Sequence, residues 1–596
     1  MEMISGKLFV RRFMFLAVFA ATFLNATTTH ALMIASGPIL ATNANAPLAV
    51  LLSLTTDEDS RVSVSVDDGT AIWERHFHDY AKTHLVPLLG FKPGRTNVIT
   101  VTVHDKFHNK VTAPQSVVFI TGQLPSNFPK IVLLESQPDR MEPGYTLFRC
   151  VNNNINKAYL TIVDNSGEVV WYCSVSTMLD VRQLANGNLF ASLATGFFEL
   201  NMLGEKVKTV PIPAGWPVDQ HDGVPTDHGT ILYLSAASVI VTNFPSSATN
   251  PNAPPRTTNV WHQPVVEISA TDAALLNNWS VIDMLDRLRI NYLTFTIRTS
   301  RGWDWEHANA VIEDPRDGSI IVSLRHQDAV IKFSRGGQLK WILGPHENWG
   351  TEFQPYLLTP VGTPFQWNYA QHAPMITPQG TLLLYDNGNF RASPFEPKVP
   401  DASNYSRAVE YDINEETMEV SQVWEYGGDV AEPLFTPSVG DADWLNRSGN
   451  ILITYGNITY VNGAHPSAFS TNAAMVRIKE VTHDAVPEVV FDLALFDYNN
   501  TSTSYRGCFA YRSDRIPDLY SVQPTSVQDL VVKHENGATQ LEFSAPPYRT
   551  YSIEASTNLL DWEEIGIPVA EQNEEFYFED EQTEEFQIRY YRVVTR

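Results

Sequence analysis

HAPMITPQGTLLLYDNG, residues 372–388, sets a polar opening before a Pro-Gln-Gly turn and an apolar strand that ends in turn residues. The phrase recurs as HDGVPTDHGTILYLS (221–235), HANAVIEDPRDGSIIVSLR (307–325) and DADWLNRSGNILITYG (441–456), with a degenerate VRQLANGNLFASL at 181–193. A second hairpin-like phrase accompanies the copies, as in AYLTIVDNSGEVVWYC (158–173), AVIKFSRGGQLKWILG (329–344) and RAVEYDINEETMEVSQVWEYG (407–427). A supersecondary unit repeated in this way cannot bury its apolar face alone and must stack on its neighbours. Four strands in units of roughly 65 residues describe the blades of a β-propeller. About six such units fit between residues 126 and 520. Helical periodicity is scarce, and only DAALLNNWSVIDML (272–285) predicts a short helix.

Outside the repeats, the chain reads as smaller β-modules. In residues 33–125, RVSVSV (61–66) alternates with period two, and HLVPLLGFKPGRTNVITVTVHD (84–105) reads as strand, Pro-Gly turn, strand. We expect a β-sandwich there, similar to fibronectin type III modules. After the polar linker YSVQPTSVQD (520–529), residues 525–596 read as a small C-terminal β accessory module. The predicted fold class is therefore all-β: a six-bladed propeller between two β-modules.

The first residues carry Lys7, Arg11 and Arg12, then an apolar run from Phe13 to Ala26, then small residues suited to cleavage after Ala31. That pattern predicts a signal peptide over 1–31 and a periplasmic or secreted protein. No later segment is apolar enough to predict a membrane span. The net charge of −26 argues against nucleic acid, because phosphate binding needs clustered Lys and Arg. Export permits a disulfide, and of the three cysteines Cys150 and Cys173 flank a hairpin region and could pair. No CxxC or zinc spacing is present.

The repeat also places chemistry. His221, His372 and Asp441 each precede the turn glycine by eight residues, and His307 opens the intervening copy. Equivalent positions in different blades point toward one axis, so these groups are expected to converge on one mouth of the channel. Three of the sixteen histidines in one repeat slot point to a functional cluster. Arg325 closes the strand after the His307 turn, and its guanidinium suits the oxygens of sulfate or phosphate. Asn309 shares a side with His307 in extended chain and can donate to an anion.

These residues carry a family resemblance. DWEHANAV (304–311), SIIVSLRHQDAVIKF (319–333), LKWILGP (339–345) and QHAPMITPQGTLLLYDNGNFR (371–391) resemble the PAPS-independent arylsulfate sulfotransferases, as do LTIVDNSGEVVWY (160–172) and YRSDRIPDLY (511–520). The likeness implies a six-bladed propeller and ping-pong transfer of a sulfuryl group from an aryl sulfate to a phenol through a sulfohistidine. It implies His372 as nucleophile and His221, His307 and Arg325 as its catalytic partners. Asn309, Thr454 and Tyr511 are implied in substrate binding. It implies no metal, nucleotide or other cofactor, and small phenols and aryl sulfates as partners; a homodimer is compatible with it.

Chemically, a neutral imidazole is a competent nucleophile near pH 7, and a covalent N-sulfo intermediate divides one hard transfer into two easier ones. His307 or His221 is expected to protonate the leaving phenolate and then deprotonate the acceptor. Trp303, Trp305, Trp367 and Tyr385 are candidates for stacking on the aryl ring. Two alternatives stand beside this reading. One is a His/Asp metal-dependent hydrolase, with Asp441 as a ligand, against which Arg325 counts. The other is a non-catalytic propeller binding a sulfated glycan or another anion.

Overall fold

The computed structural model describes residues 31–595 except 107–108, 153–156, 176–179, 194, 429, 460–474, 497–507, 521–527, 536–537, 546–550, 560–561, 571–574, 581, 583–585 and 587. The predicted signal peptide lies, but for its last residue, outside the described residues.

The N-terminal segment is built on one long strand, Val50–Asp67, in which buried and half-buried positions alternate as RVSVSV predicts. It pairs with Ile34–Thr42, Ile72–Leu88 and Thr96–Asp105. Hydrogen bonds join all six strands through this strand, whose first half pairs Ile34–Thr42 and whose second half pairs Thr96–Asp105. The 18-residue central strand of this segment far exceeds the usual five or six residues. The pairing register breaks between Thr55 and Val62, which is where a twisting strand of that length kinks. Val50, Leu52, Val62, Val64, Phe91, Ile99, Val101 and Phe119 form its core.

The repeats form a succession of four- or five-stranded, mainly antiparallel sheets. Among the described residues, their first strands are Val181–Gln183, Val218–Pro225, Ala308–Glu313, His372–Ile376, Asp441–Trp444 and, from the end of the repeat region, Ser513–Ile516. Residues of all six strands line one cavity of about 310 Å3, so the sheets are arranged around a common centre. The fold is all-β and propeller-like. Middle strands such as Ile320–Leu324 and Ala329–Phe333 are buried at every position, because each sheet is covered on both faces. Ile321, Val330 and Trp341 meet Leu382, Leu384 and Val409 of the next sheet in one such interface.

Chain ends lock the ring. Lys130–Ser136 pairs with Val489–Phe496 of the last sheet, and Ser513–Ile516 pairs with Tyr145–Asn152 of the first. One further sheet, Ala237–Phe244, Arg256–His262, Arg298–Thr299 and Gly302–Asp304, is inserted between His221 and His307. It accounts for their spacing of 86 residues, against 65 between His307 and His372. The segment predicted as a short helix instead contains the strand Leu275–Trp279, followed by a single turn of 3-10 helix at Val281–Asp283. Leu275 and Leu276 are exposed there, which an amphipathic reading of the run did not anticipate.

Residues 528–595 form two small sheets around Leu541, Phe543, Tyr551, Ile553 and Phe576. Cys150, Cys173 and Cys508 are all buried, and Cys150 and Cys173 are not joined in a disulfide. Tyr145–Asn152 and Val169–Val175 flank the strand Lys157–Val163 on opposite sides. Two strand spacings of about 4.8 Å exceed the reach of a disulfide. Among the described residues no helix is long and apolar enough to cross a membrane.

Candidate active site

His221, His307 and His372 come together as their shared repeat slot predicts. The rings of His221 and His307 lie 4.6 Å apart, and Tyr511 stands 6.5 Å from His221 and 6.4 Å from His372. Each imidazole is held at Nδ1. His221 bonds Asp219 at 3.1 Å, His307 bonds Asp304 at 2.5 Å and His372 bonds the Asn387 amide oxygen at 2.6 Å. The Nε2 atoms of all three have no hydrogen-bond partner among the described residues. Asp304 reaches His307 because the inserted sheet ends at Gly302–Asp304. His307 itself has φ of +45°, a left-handed conformation uncommon outside glycine. It is held by backbone bonds from Arg325 to the His307 carbonyl, 3.1 Å, and from His326 to the Glu306 carbonyl, 2.9 Å.

The three rings differ in charge. Burial, reinforced by Arg325, pushes His372 well below the ordinary imidazole range despite its bond to Asn387. Burial and the neighbouring His221 and Arg325 do the same to His307. Burial works against a proton on His221 too, but the Asp219 carboxylate and Asp304 outweigh it and raise this group. Near neutral pH the site therefore holds two neutral imidazoles beside one that keeps its proton more readily than either.

Arg325 lies among them with 3% exposure. Its Nη1 donates to His326 at 2.9 Å and its Nη2 to the Pro437 carbonyl at 2.8 Å, while the buried Nε has no partner. Burial lowers it to about 10, which leaves it charged at neutral pH. A buried guanidinium with no carboxylate bonded to it is chemically suited to an anion. Asn309 donates to the Gln371 carbonyl at 2.8 Å, so it steadies the residue before His372, and its buried Oδ1 is unpartnered. Tyr511 donates its hydroxyl to the Asn309 carbonyl at 2.9 Å and forms a wall between the histidines.

Other sequence candidates lie apart. Thr454 bonds Ser513 at 2.5 Å, next to the central cavity rather than the imidazoles. Asp441 does not join the histidines either; with Asp180, Asp222, Asp443 and Asp514 it lines that cavity, where Arg182 and Arg512 pair with Asp180 and Asp222. Trp305 and Tyr385 are packed in cores, and Trp303 and Trp367 pack against cores, so Tyr511 is the aromatic ring beside the imidazoles. Asp304, Asp219, Asn387 and His326 were missed. An acid two or three residues ahead of His221 and of His307 was a readable signal for the first two. A metal reading meets Asp304, His307 and His326, whose ligand atoms approach one another. Those atoms are already committed: His307 to Asp304, and His326 to the Asp304 carbonyl and Arg325. A guanidinium at that point favours an anion over a cation.

The sequence model of the family described as Arylsulfotransferase (ASST) matches residues 104–506, more than half of the chain. The chain belongs to the arylsulfotransferase family. The arylsulfotransferase Ig-like domain matches residues 39–118, over the N-terminal sheet. Two relatives are named arylsulfate sulfotransferase AssT. The one from Escherichia coli O6:H1 (strain CFT073) is 27% identical over 368 residues, and the one from Lelliottia amnigena 24% identical. Each alignment covers 54% of this chain and 61% of the relative, so this arylsulfotransferase-family chain spans about three-fifths of the length of the curated relatives it matches. A solved structure of a Bacteroides caccae protein of unknown function aligns over 62% of this chain and 98% of its own, at 14% identity and a TM-score of 0.34, too distant to argue from.

Proposed function

We propose that this chain is an aryl-sulfate sulfotransferase whose six-bladed propeller is exported and gathers the transfer site at its axis. Sulfuryl passes from an aryl sulfate to a phenol through a sulfohistidine at His372. The observation that carries the reading is the gathering of three imidazoles, each held at Nδ1 and unpartnered at Nε2 among the described residues, near the buried, carboxylate-free Arg325. The Nε2 lone pair of His372 forms a bond to sulfur as the S–O bond to the aryl group breaks. The electron pair leaves on the phenolate, which takes the proton of His221. In the second half, an acceptor phenol gives its proton back, attacks sulfur, and the N–S electron pair returns to His372. Arg325 holds the sulfuryl oxygens, where charge spreads in a loose transition state.

A chromogenic aryl sulfate, offered with and without a phenol, tests the reading. Release dependent on the acceptor, with parallel lines in double-reciprocal plots, is expected. Release without acceptor means hydrolysis, and binding with no release means an anion-binding propeller.

A further inference from the structure

The three imidazoles are held alike at Nδ1 and differ in what holds them. His221 and His307 lean on carboxylates, Asp219 and Asp304, whereas His372 leans on a carboxamide, Asn387. The orientation of that amide is determined. Its Nδ2 donates to the carbonyls of Thr436, 2.9 Å, and Val439, 2.8 Å, so its oxygen must face His372. An amide oxygen only accepts; His372 therefore carries its proton on Nδ1 and keeps a lone pair on Nε2.

We propose that Asn387 is a positioning residue that locks His372 as the Nδ1–H tautomer against an uncharged partner, reserving it for nucleophilic attack while the carboxylate-backed His221 handles the proton. The proposal rests on the reading of His372 as nucleophile. A carboxylate behind an imidazole raises its basicity and stabilises the imidazolium. That helps a ring whose task is to hold and release a proton. Behind a ring that carries sulfuryl it would do harm twice: it would keep the free ring protonated, and it would stabilise the cationic N-sulfo species against giving sulfur up. An amide fixes the same tautomer and ring angle with neither effect. Throughout both half-reactions the Nδ1–H stays on Asn387, and only Nε2 gains and loses the bond to sulfur. The loop from Thr436 to Gly440 also receives Arg325 through the Pro437 carbonyl, so the amide ties the nucleophile to the segment that seats the anion-holding group.

The tautomer is directly readable in the full chain labelled with 15N-histidine, with His372→Gln assigning the signal. Protonated Nδ1 and bare Nε2 are expected at neutral pH; protonated Nε2 overturns the proposal. Kinetically, Asn387→Ser should slow first-turnover phenol release from 4-nitrophenyl sulfate by about tenfold or more, with the donor KM nearly unchanged. Asn387→Asp should move the acid limb of the pH–rate profile upward by about one unit, which a merely structural role would not do. Unaltered first-turnover release in Asn387→Ser, or an unmoved acid limb in Asn387→Asp, also overturns it. If either variant fails to fold, the spectrum of the unaltered chain still decides. An unaltered chain that releases no phenol from any aryl sulfate removes the sulfotransferase reading instead, and leaves the tautomer result standing.

Discussion

Arg325 donates from Nη1 to Nε2 of His326 at 2.9 Å, and His326 accepts there because its Nδ1–H is spent on the Asp304 carbonyl at 2.7 Å. A neutral imidazole thus aims a buried guanidinium without cancelling its charge, which a carboxylate in the same place would do. Burial and the neighbouring His307 hold His326 well below the ordinary range, so this arrangement persists through neutral pH. Its ring also stacks on His307, 4.6 Å between centroids.

Replacing His326 by Phe keeps the stacked ring and removes the acceptor. Turnover with an aryl sulfate should fall by roughly 10- to 100-fold, the usual cost of losing a residue that orients a reacting group. Steady-state kinetics on the folded variant checks it; a near-normal rate would mean that Arg325 needs no such support.

Arg325→Lys should be worse. Lysine offers a point charge in place of a fork, and the bonds to His326 and the Pro437 carbonyl cannot both be kept while an ammonium also faces the substrate. We expect donor kcat/KM to drop by about 100-fold or more. His372→Ala should leave a folded protein, by circular dichroism, with no transfer and no labelled intermediate from a 35S aryl sulfate.

What the sequence revealed, and what it hid, follows from the repeat. The strand-turn-strand phrase fixes the place of a residue within its sheet, so His221, His307 and His372 could be assigned to one mouth before any coordinates, and Arg325 near it by its strand end. Bonds between different sheets are not encoded in a local phrase. Asn387 directly follows the strand that pairs with His372–Ile376 in its own hairpin, and only its bonds to the Thr436 and Val439 carbonyls reach outside that phrase; the amide of Asn309 likewise turns to Gln371 of the next sheet rather than to open space. The Asp441 slot matches the histidines by spacing, yet its side chain faces the cavity beyond them. The tryptophans near the motifs proved to be packing residues, since position along the chain says little about which face a ring presents.

The opposite shifts of the histidines predict the pH dependence. His372 and His307 are pushed well below 6.5, so both stay neutral, and His372 stays active as nucleophile, until the solution is distinctly acidic. His221 is raised, so it keeps its proton to higher pH than an ordinary imidazole and loses it as pH climbs through its folded value. The first half-reaction should therefore hold a plateau on the acid side of the His221 titration and decline as that proton is lost. Asp219→Asn should move the alkaline limb down, because the carboxylate that retains the proton is gone. First-turnover release across pH reads both; an alkaline limb unaffected by Asp219→Asn would take the acid role away from His221.

Asp441 offers a test of the cavity beyond the histidines. Burial drives its carboxyl up to about 7, with Asp180 and Asp514 adding to the effect and Arg512 opposing it. A carboxyl raised on folding binds its proton more tightly in the folded chain. Its contribution to stability is therefore greatest below the ordinary carboxylate value and falls as pH rises from about 4 to about 7. One pKa unit corresponds to about 1.4 kcal/mol, and even partial relief makes the penalty on the order of 1 kcal/mol at pH 8. Asp441→Asn removes it, since an amide has no charge to bury. Thermal melts should show the variant more stable than the unaltered chain at pH 8 and little different at pH 4. A variant that is less stable at pH 8 would mean instead that the ionised Asp441 is a net partner of Arg512 and that the cavity tolerates its full complement of charge.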